Sequence, residues 1–229
     1  DLGVSLTPVR GAFNRLISEG LLEHYPGLGV LVPTPSRREI AEIYEFREAV
    51  ECAAAAKVCE CPDPAVLDAM AAAIDLEESM LNEHGPAMVA EMQRRNGEGS
   101  ECGLLERWRR IDEEFHLAYI RAARNRRMLE TVEDLRVRGQ MVYERLVETP
   151  IESWKHTIEE HRQILDAFRR ADAEEARRLI AEYIRLACRE LLDAHERQYM
   201  ERPYGLHSGL HRPEGNGPAG RPSAATERL

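Results

Sequence analysis

Asp112 and His116 stand four residues apart in the stretch IDEEFHLAYI, and His161 heads a second apolar-patterned segment, HRQILDAF. On a helix, a spacing of four puts two side chains on adjacent turns of one face. Ile111, Phe115 and Tyr119 flank the first pair and turn that face towards a core, and Leu165 and Phe168 do the same below His161. A carboxylate and an imidazole pointing inward are costly unless paired or liganded. From the residues alone, the three groups form either a mixed nitrogen–oxygen metal site or the polar floor of a pocket. Imidazole with carboxylate suits Zn, Ni, Mn or Fe(II). The alternative is an Asp112–His116 hydrogen-bonded pair in a helical core, with His161 a separate surface residue. Spacing alone favours that alternative, because such pairs are not rare.

The elements that must carry these groups are nearly all helical. Ile40, Ile43, Tyr44, Arg47, Val50 and Glu51 follow helical spacing up to Cys61, and SRRE at 36–39 opens that segment as a capping box. A second helix begins at Asp63-Pro64 and runs through Met80; from Asn82 to Gly103 the pattern deteriorates into an expected exposed loop. Further helices are expected over 104–124 and 127–147, from Ile151, and over 173–197. The Gly- and Pro-rich tail has no apolar periodicity and is expected to be disordered.

In bulk, the chain has 229 residues, 43% hydrophobic content and a net charge of −10. That balance excludes a protein coated in basic charge for binding nucleic acid along its length. Five cysteines, an odd number, do not suggest a disulfide framework, and Cys52, Cys59 and Cys61 lack the partners of a tetrahedral site. No apolar run approaches membrane-spanning length, so a cytoplasmic protein with no membrane partner is expected.

The N-terminal stretch GVSLTPVRGAFNRLISEGLL has its own logic. Ser5 or Thr7 can cap a helix, Pro8 suits its first turn, and Gly20 closes it. Val9, Ala12, Phe13, Leu16 and Ile17 form an apolar face, while Arg10 and Asn14, with Arg15 beside them, arm the other. Arg and Asn match guanine and adenine edges in a major groove. The following EHYPGLGVLVPTP reads as strand, turn and strand, then a stiff linker at 33–35. Helix followed by hairpin is also common in domains that bind no DNA.

The stretch LGVSLTPVRGAFNRLISEGLLEHYPGLGVLVP resembles the C-terminal half of the winged helix of GntR-family bacterial transcription regulators. Residues 40–193 resemble the all-helical FCD effector domain of the FadR-like subfamily. The resemblance implies a mainly α fold in three parts: a partial winged helix-turn-helix at 1–35, an FCD-type helical bundle at 36–200, and a tail at 201–229. It assigns DNA contacts to Ser5, Thr7, Arg10, Asn14 and Arg15 and to Gly27 and Gly29 on the wing. Two departures are Leu6, where the family usually has a DNA-contacting Arg, and Gly11 in place of Glu; they imply an altered operator or weaker binding. Two further helices precede this point in the family, so a fragment or an early-truncated gene model is expected.

In the FCD family one Asp and three His hold a divalent metal beside a small effector, often a carboxylate. Asp112, His116 and His161 match three of those positions, and Tyr183 falls at the fourth, where a neutral phenol is a poor ligand. Arg47 is the candidate to hold the effector carboxylate, or to pair with Glu51. Asn125 is a weaker effector candidate and caps a helix in the other reading. The resemblance implies a ligand-responsive regulator, a repressor acting as a homodimer on double-stranded operator DNA, with a Zn-, Ni- or Mn-like ion as cofactor. The alternatives are a metal-dependent enzyme on the helical bundle, or a regulator remnant that binds ligand but not DNA.

Overall fold

A computed structural model describes residues 5–33, 35–95, 103–146 and 150–201. Among them the order is α1 (Leu6–Ser18), β1 (Glu23–Tyr25), β2 (Gly29–Leu31), α2 (Arg37–Glu60), α3 (Pro64–Arg95), α4 (Leu104–Ala122), α5 (Arg126–Leu146), α6 (Ile151–Arg169) and α7 (Ala173–Glu201). The tail expected beyond residue 201 and the Gly-rich segment at 96–102 lie outside the described residues, as do residues 1–4 and Thr34 of the expected linker.

Helix α1 ends in a Schellman motif: the Gly20 N–H donates to Ile17 O and the Leu21 N–H to Leu16 O. Gly20 sits at φ +74, where an L side chain is strained. β1 and β2 pair antiparallel, with Glu23 opposite Leu31 and Tyr25 opposite Gly29. Pro26 and Gly27, the latter at φ +80, fit positions two and three of a type II turn, closed by the Leu28 N–H donating to Tyr25 O at 3.1 Å.

The six remaining helices form a bundle. Helix α2 lies along α7 and α5, and α3 packs on α4 and α6. Ser36 opens α2 through a full capping box: its Oγ accepts from the Glu39 N–H, and its own N–H donates to Glu39 Oε2 at 2.7 Å. Phe115, Tyr119, Ile120, Ile164 and Phe168 are fully buried where α4 meets α6, and Met70 and Met88 extend the core along α3.

Helix α3 departs from the sequence expectation. It continues through Gly85-Pro86 to Arg95, instead of dissolving at Asn82. Pro86 is exposed, and Leu81, Gly85, Met88 and Glu91 keep the buried stripe in register on the opposite side. Gly85 lies against α6, where a Cβ would stand 3.8 Å from Ile151 Cδ1, an ordinary packing distance. Burial of that stripe outweighs the hydrogen bond that proline removes.

Candidate functional site

The inward stripe of α4 carries Asp112, His116 and Tyr119 as three consecutive turns, and α6 brings His161 to meet them. His116 and His161 are fully buried, and Phe115 stacks on the His161 ring at 3.9 Å between centroids. The two Nε2 atoms lie 3.3 Å apart, with Asp112 Oδ1 at 3.8 Å from one and 4.0 Å from the other. All three donor atoms fall within 4.8 Å of one another. His161 is therefore no surface residue: the bundle brings it onto the Asp112–His116 face.

Two carboxylates behind the imidazoles fix what they present. His161 Nδ1 is 2.9 Å from Glu77 Oε2 on α3. His116 Nδ1 is 3.4 Å from the Tyr119 hydroxyl, which donates to Glu51 Oε2 on α2 at 2.8 Å. The Tyr119 hydroxyl, its proton directed to Glu51, accepts from His116 Nδ1, and the Nε2 atoms of both rings converge on one space beside Asp112. Burial, followed by the charges of Arg136, His161 and Arg47, pushes the His116 pKa well below its usual value, which keeps the ring neutral. Burial pushes Glu77 up, against the opposing pull of His161. Its Oε1 is buried with no hydrogen-bond partner among the described residues. Two imidazoles backed by carboxylates, with a third oxygen donor alongside, make a donor set that fits a divalent ion.

Tyr183 on α7 occupies the fourth side, its hydroxyl donating to Asp112 Oδ1 at 3.3 Å. Burial and then the neighbouring Asp112 charge hold its pKa well above the usual phenol value, so it stays protonated. Asp112 Oδ2 accepts from Arg136 Nη2 on α5 at 2.7 Å.

A cavity of about 430 Å³ opens on the other side of Asp112 and Tyr183, with Arg47 and Arg136 on its wall. Arg47 is buried and donates from Nε to Glu51 Oε1 at 2.9 Å. Burial works against its charge, but Glu51 and Tyr44 outweigh this and hold its pKa above the usual range. The pairing with Glu51 and the place on the cavity wall thus coexist. Asn125 lies elsewhere. Its Oδ1 accepts from the N–H groups of Arg127 and Met128 at the start of α5, and it is not among the cavity-lining residues.

Sequence reasoning missed Glu77 and Glu51 as partners of the histidines. The signal was present: each Glu sits on a buried helical stripe, apolar apart from Glu77 at Met70–Ile74–Glu77–Leu81 on α3, and shared with Arg47 at Tyr44–Arg47–Glu51–Ala54 on α2.

The N-terminal residues form a separate surface. Ser5, Thr7, Arg10, Asn14 and Arg15 are exposed, Arg15 donating to Glu19 Oε1 at 2.8 Å. Ser5 occupies the N-cap position without a side-chain hydrogen bond. Gly27 and Gly29 take positive φ in the hairpin. No residue of α1 is buried. Helix α5 reaches this module through Arg138, whose Nη2 donates to Glu19 O at 2.6 Å.

Residues 42–186 match the FCD domain. Over 123 residues the chain is 33% identical to an HTH-type transcriptional regulator from the TAR-I ttuE-ttuC' intergenic region of Agrobacterium vitis, covering 54% of this chain and 63% of that protein. It is 28% identical over 186 residues to the HTH-type transcriptional regulator McbR of Escherichia coli K12, covering 80% of this chain and 74% of McbR. The chain thus spans less than two thirds of the length of the A. vitis relative. The solved structure of E. coli McbR is similar with a TM-score of 0.63 at 26% identity, over 86% of this chain and 83% of that one. A GntR transcriptional regulator from Rhodococcus sp. RHA1 gives 0.61 at 26% identity, over 84% and 83%. These relatives are named as regulators and not as enzymes. The chain belongs to the FCD domain family.

Proposed function

We propose that this chain is a GntR-type transcriptional regulator that senses a small organic acid in the cavity beside Asp112 and reads operator DNA through α1 and the β1–β2 hairpin. Residues 1–35 act as the reading module and 36–200 as the sensing bundle, working as a homodimeric, cytoplasmic repressor. Arg47 and Arg136 take the carboxylate; two guanidiniums facing one cavity give charge-assisted hydrogen bonds with a planar fit to it. Asp112, His116 and His161 hold a divalent ion, with Tyr183 beside it as a neutral donor. When bound, such an ion supplies positive charge at the inner end of the cavity and open positions for an oxygen ligand. Arg10, Asn14 and Arg15 face the groove, and the glycines of the hairpin let the wing backbone approach phosphate.

The observation that carries this reading is the convergence of two imidazole Nε2 atoms and a carboxylate beside a cavity with Arg47, Arg109 and Arg136 on its wall. Metal analysis of protein purified without an affinity tag, followed by thermal-shift screening of carboxylates with and without chelator, tests the sensing half. Bound metal and a chelator-sensitive rise in melting temperature with an acid are expected. A metal-free protein whose acid response ignores chelator removes the metal from the reading. Mobility shifts on DNA upstream of its own gene test the other half. Leu6, where the family usually has an Arg, and Gly11 inside α1 favour a second reading, a sensor that binds acid but no DNA, and intact acid binding with no mobility shift would select it.

A further inference from the structure

The shape and charge of the cavity restrict the acid further. Helices α4 and α6 run side by side in parallel: Phe115 meets His161, and seven residues earlier on both, Trp108 meets Trp154 with centroids 5.9 Å apart. Helix α7 returns antiparallel after the short turn at 170–172. From Asp112 back to Leu105 on α4, and from Tyr183 on to Glu190 on α7, the cavity wall covers seven residues, about 10 Å at the helical rise. The cavity is therefore elongated. Its inner end holds Asp112, Arg136 and Tyr183, and its outer end holds Met92, Leu105, Trp108 and Trp154.

Cationic charge is least offset at the inner end, where Arg47 and Arg136 each face one carboxylate, Glu51 and Asp112. The other wall arginine, Arg109, is bound to Glu106 through Nε and Nη2 and to Glu113 through Nη1. Glu152, Glu160 and Glu190 also line the cavity, so a second carboxylate on the ligand would face acidic side chains. Resting on the acid-sensing reading above, we infer that the ligand is a monocarboxylate with an aryl or medium-length alkyl group. Its carboxylate sits at Arg136 and Arg47, and its apolar end lies against Leu105, Trp108 and Trp154. Di- and tricarboxylates are disfavoured, because their further carboxylates would face Glu152, Glu160 and Glu190.

Trp108 and Trp154 are the two tryptophans of the sequence, so intrinsic fluorescence reports on this cavity. The full chain is titrated with acetate, butanoate, hexanoate, octanoate and 3-phenylpropanoate, and separately with malate, citrate and gluconate. Affinity is expected to rise about threefold per added methylene, the burial of one CH₂, with a change in tryptophan emission. Leu105→Asn should weaken octanoate at least tenfold while changing butanoate by less than twofold, and Arg136→Gln should weaken every monocarboxylate. Gluconate or citrate binding as tightly as octanoate overturns the inference and leaves acid sensing standing. Octanoate binding that survives Arg136→Gln overturns it too, because the carboxylate then sits elsewhere. Failure of every acid in both fluorescence and thermal shift overturns the acid-sensing reading along with it.

Discussion

In the proposed ion site, Tyr183 sets how strongly the three converging donors would hold a metal. Its hydroxyl lies 3.3 Å from Asp112 Oδ1 and keeps its proton, so it adds a hydrogen bond where an imidazole would add a ligand. Tyr183→His is expected to raise divalent-ion affinity on the order of tenfold or more, read by competition with a chelating dye. An unchanged affinity would mean that the fourth side does not face the ion. His116 gives a pH prediction. Its folded-state pKa lies below the value of 6.5 it has when exposed. As pH falls through that value, the unfolded chain takes up a proton that the buried ring refuses, and stability declines with a slope approaching about 1.4 kcal/mol per pH unit. The contribution is fully present above pH 6.5. Glu77 has the opposite sign, because its raised pKa favours the fold at acid pH. The comparison is therefore between the parent and His116→Asn: the melting-temperature loss from pH 7.5 to pH 5.5 should be smaller in the variant. Asp112 and His116 were legible because four residues on an apolar stripe mark one face of one helix. Glu77 and Glu51 were visible as carboxylates on such stripes, but their partners lie 84 and 68 residues away in sequence, on helices α6 and α4. Nothing local encodes which helix faces which.

At the scale of elements, caps and turns were read most directly, because their chemistry is local. The Ser36 capping box, the Gly20 stop and the hairpin turn each depend on a few adjacent residues. Helix α3 was read short because Gly85-Pro86 interrupts the local pattern; its last turns are held by Met88 and Glu91 against neighbours far away in sequence. Glu91 Oε2 accepts from the Leu104 N–H at 3.0 Å and so ties the end of α3 to the start of α4. Ser36 starts the bundle directly after the hairpin. Ser36→Ala removes the acceptor for the Glu39 N–H and is expected to cost about 1 kcal/mol, or about 2–4 °C in melting temperature for a chain of this size. Restoration by Ser36→Asp would show that capping is the cause. A loss equal in both variants would assign it to packing.

At the scale of the whole molecule, α5 is the element that touches both ends of the proposed signal. Arg136 reaches inward to Asp112 at 2.7 Å. Arg138, two residues on and so on the other side of the helix, reaches outward to the carbonyl of Glu19 at the end of α1. The contact is close: a Cβ on Gly20 would stand 3.3 Å from Arg138 Nη1. An acid that draws Arg136 away from Asp112 favours a different seating of α5, and Arg138 carries that preference to the reading module. The expected coupling is a five- to 150-fold change in DNA affinity on adding acid, typical of 1–3 kcal/mol. Arg138→Met keeps the aliphatic stem and removes the donor. It should leave acid affinity within about twofold and bring the effect of acid on DNA binding towards unity. Linkage requires the converse: operator DNA alters acid affinity by the same factor in the parent and not in the variant. Tryptophan fluorescence measured with and without DNA reads both. Full coupling in Arg138→Met would show that the signal bypasses α5 and travels through the start of α2 at Ser36.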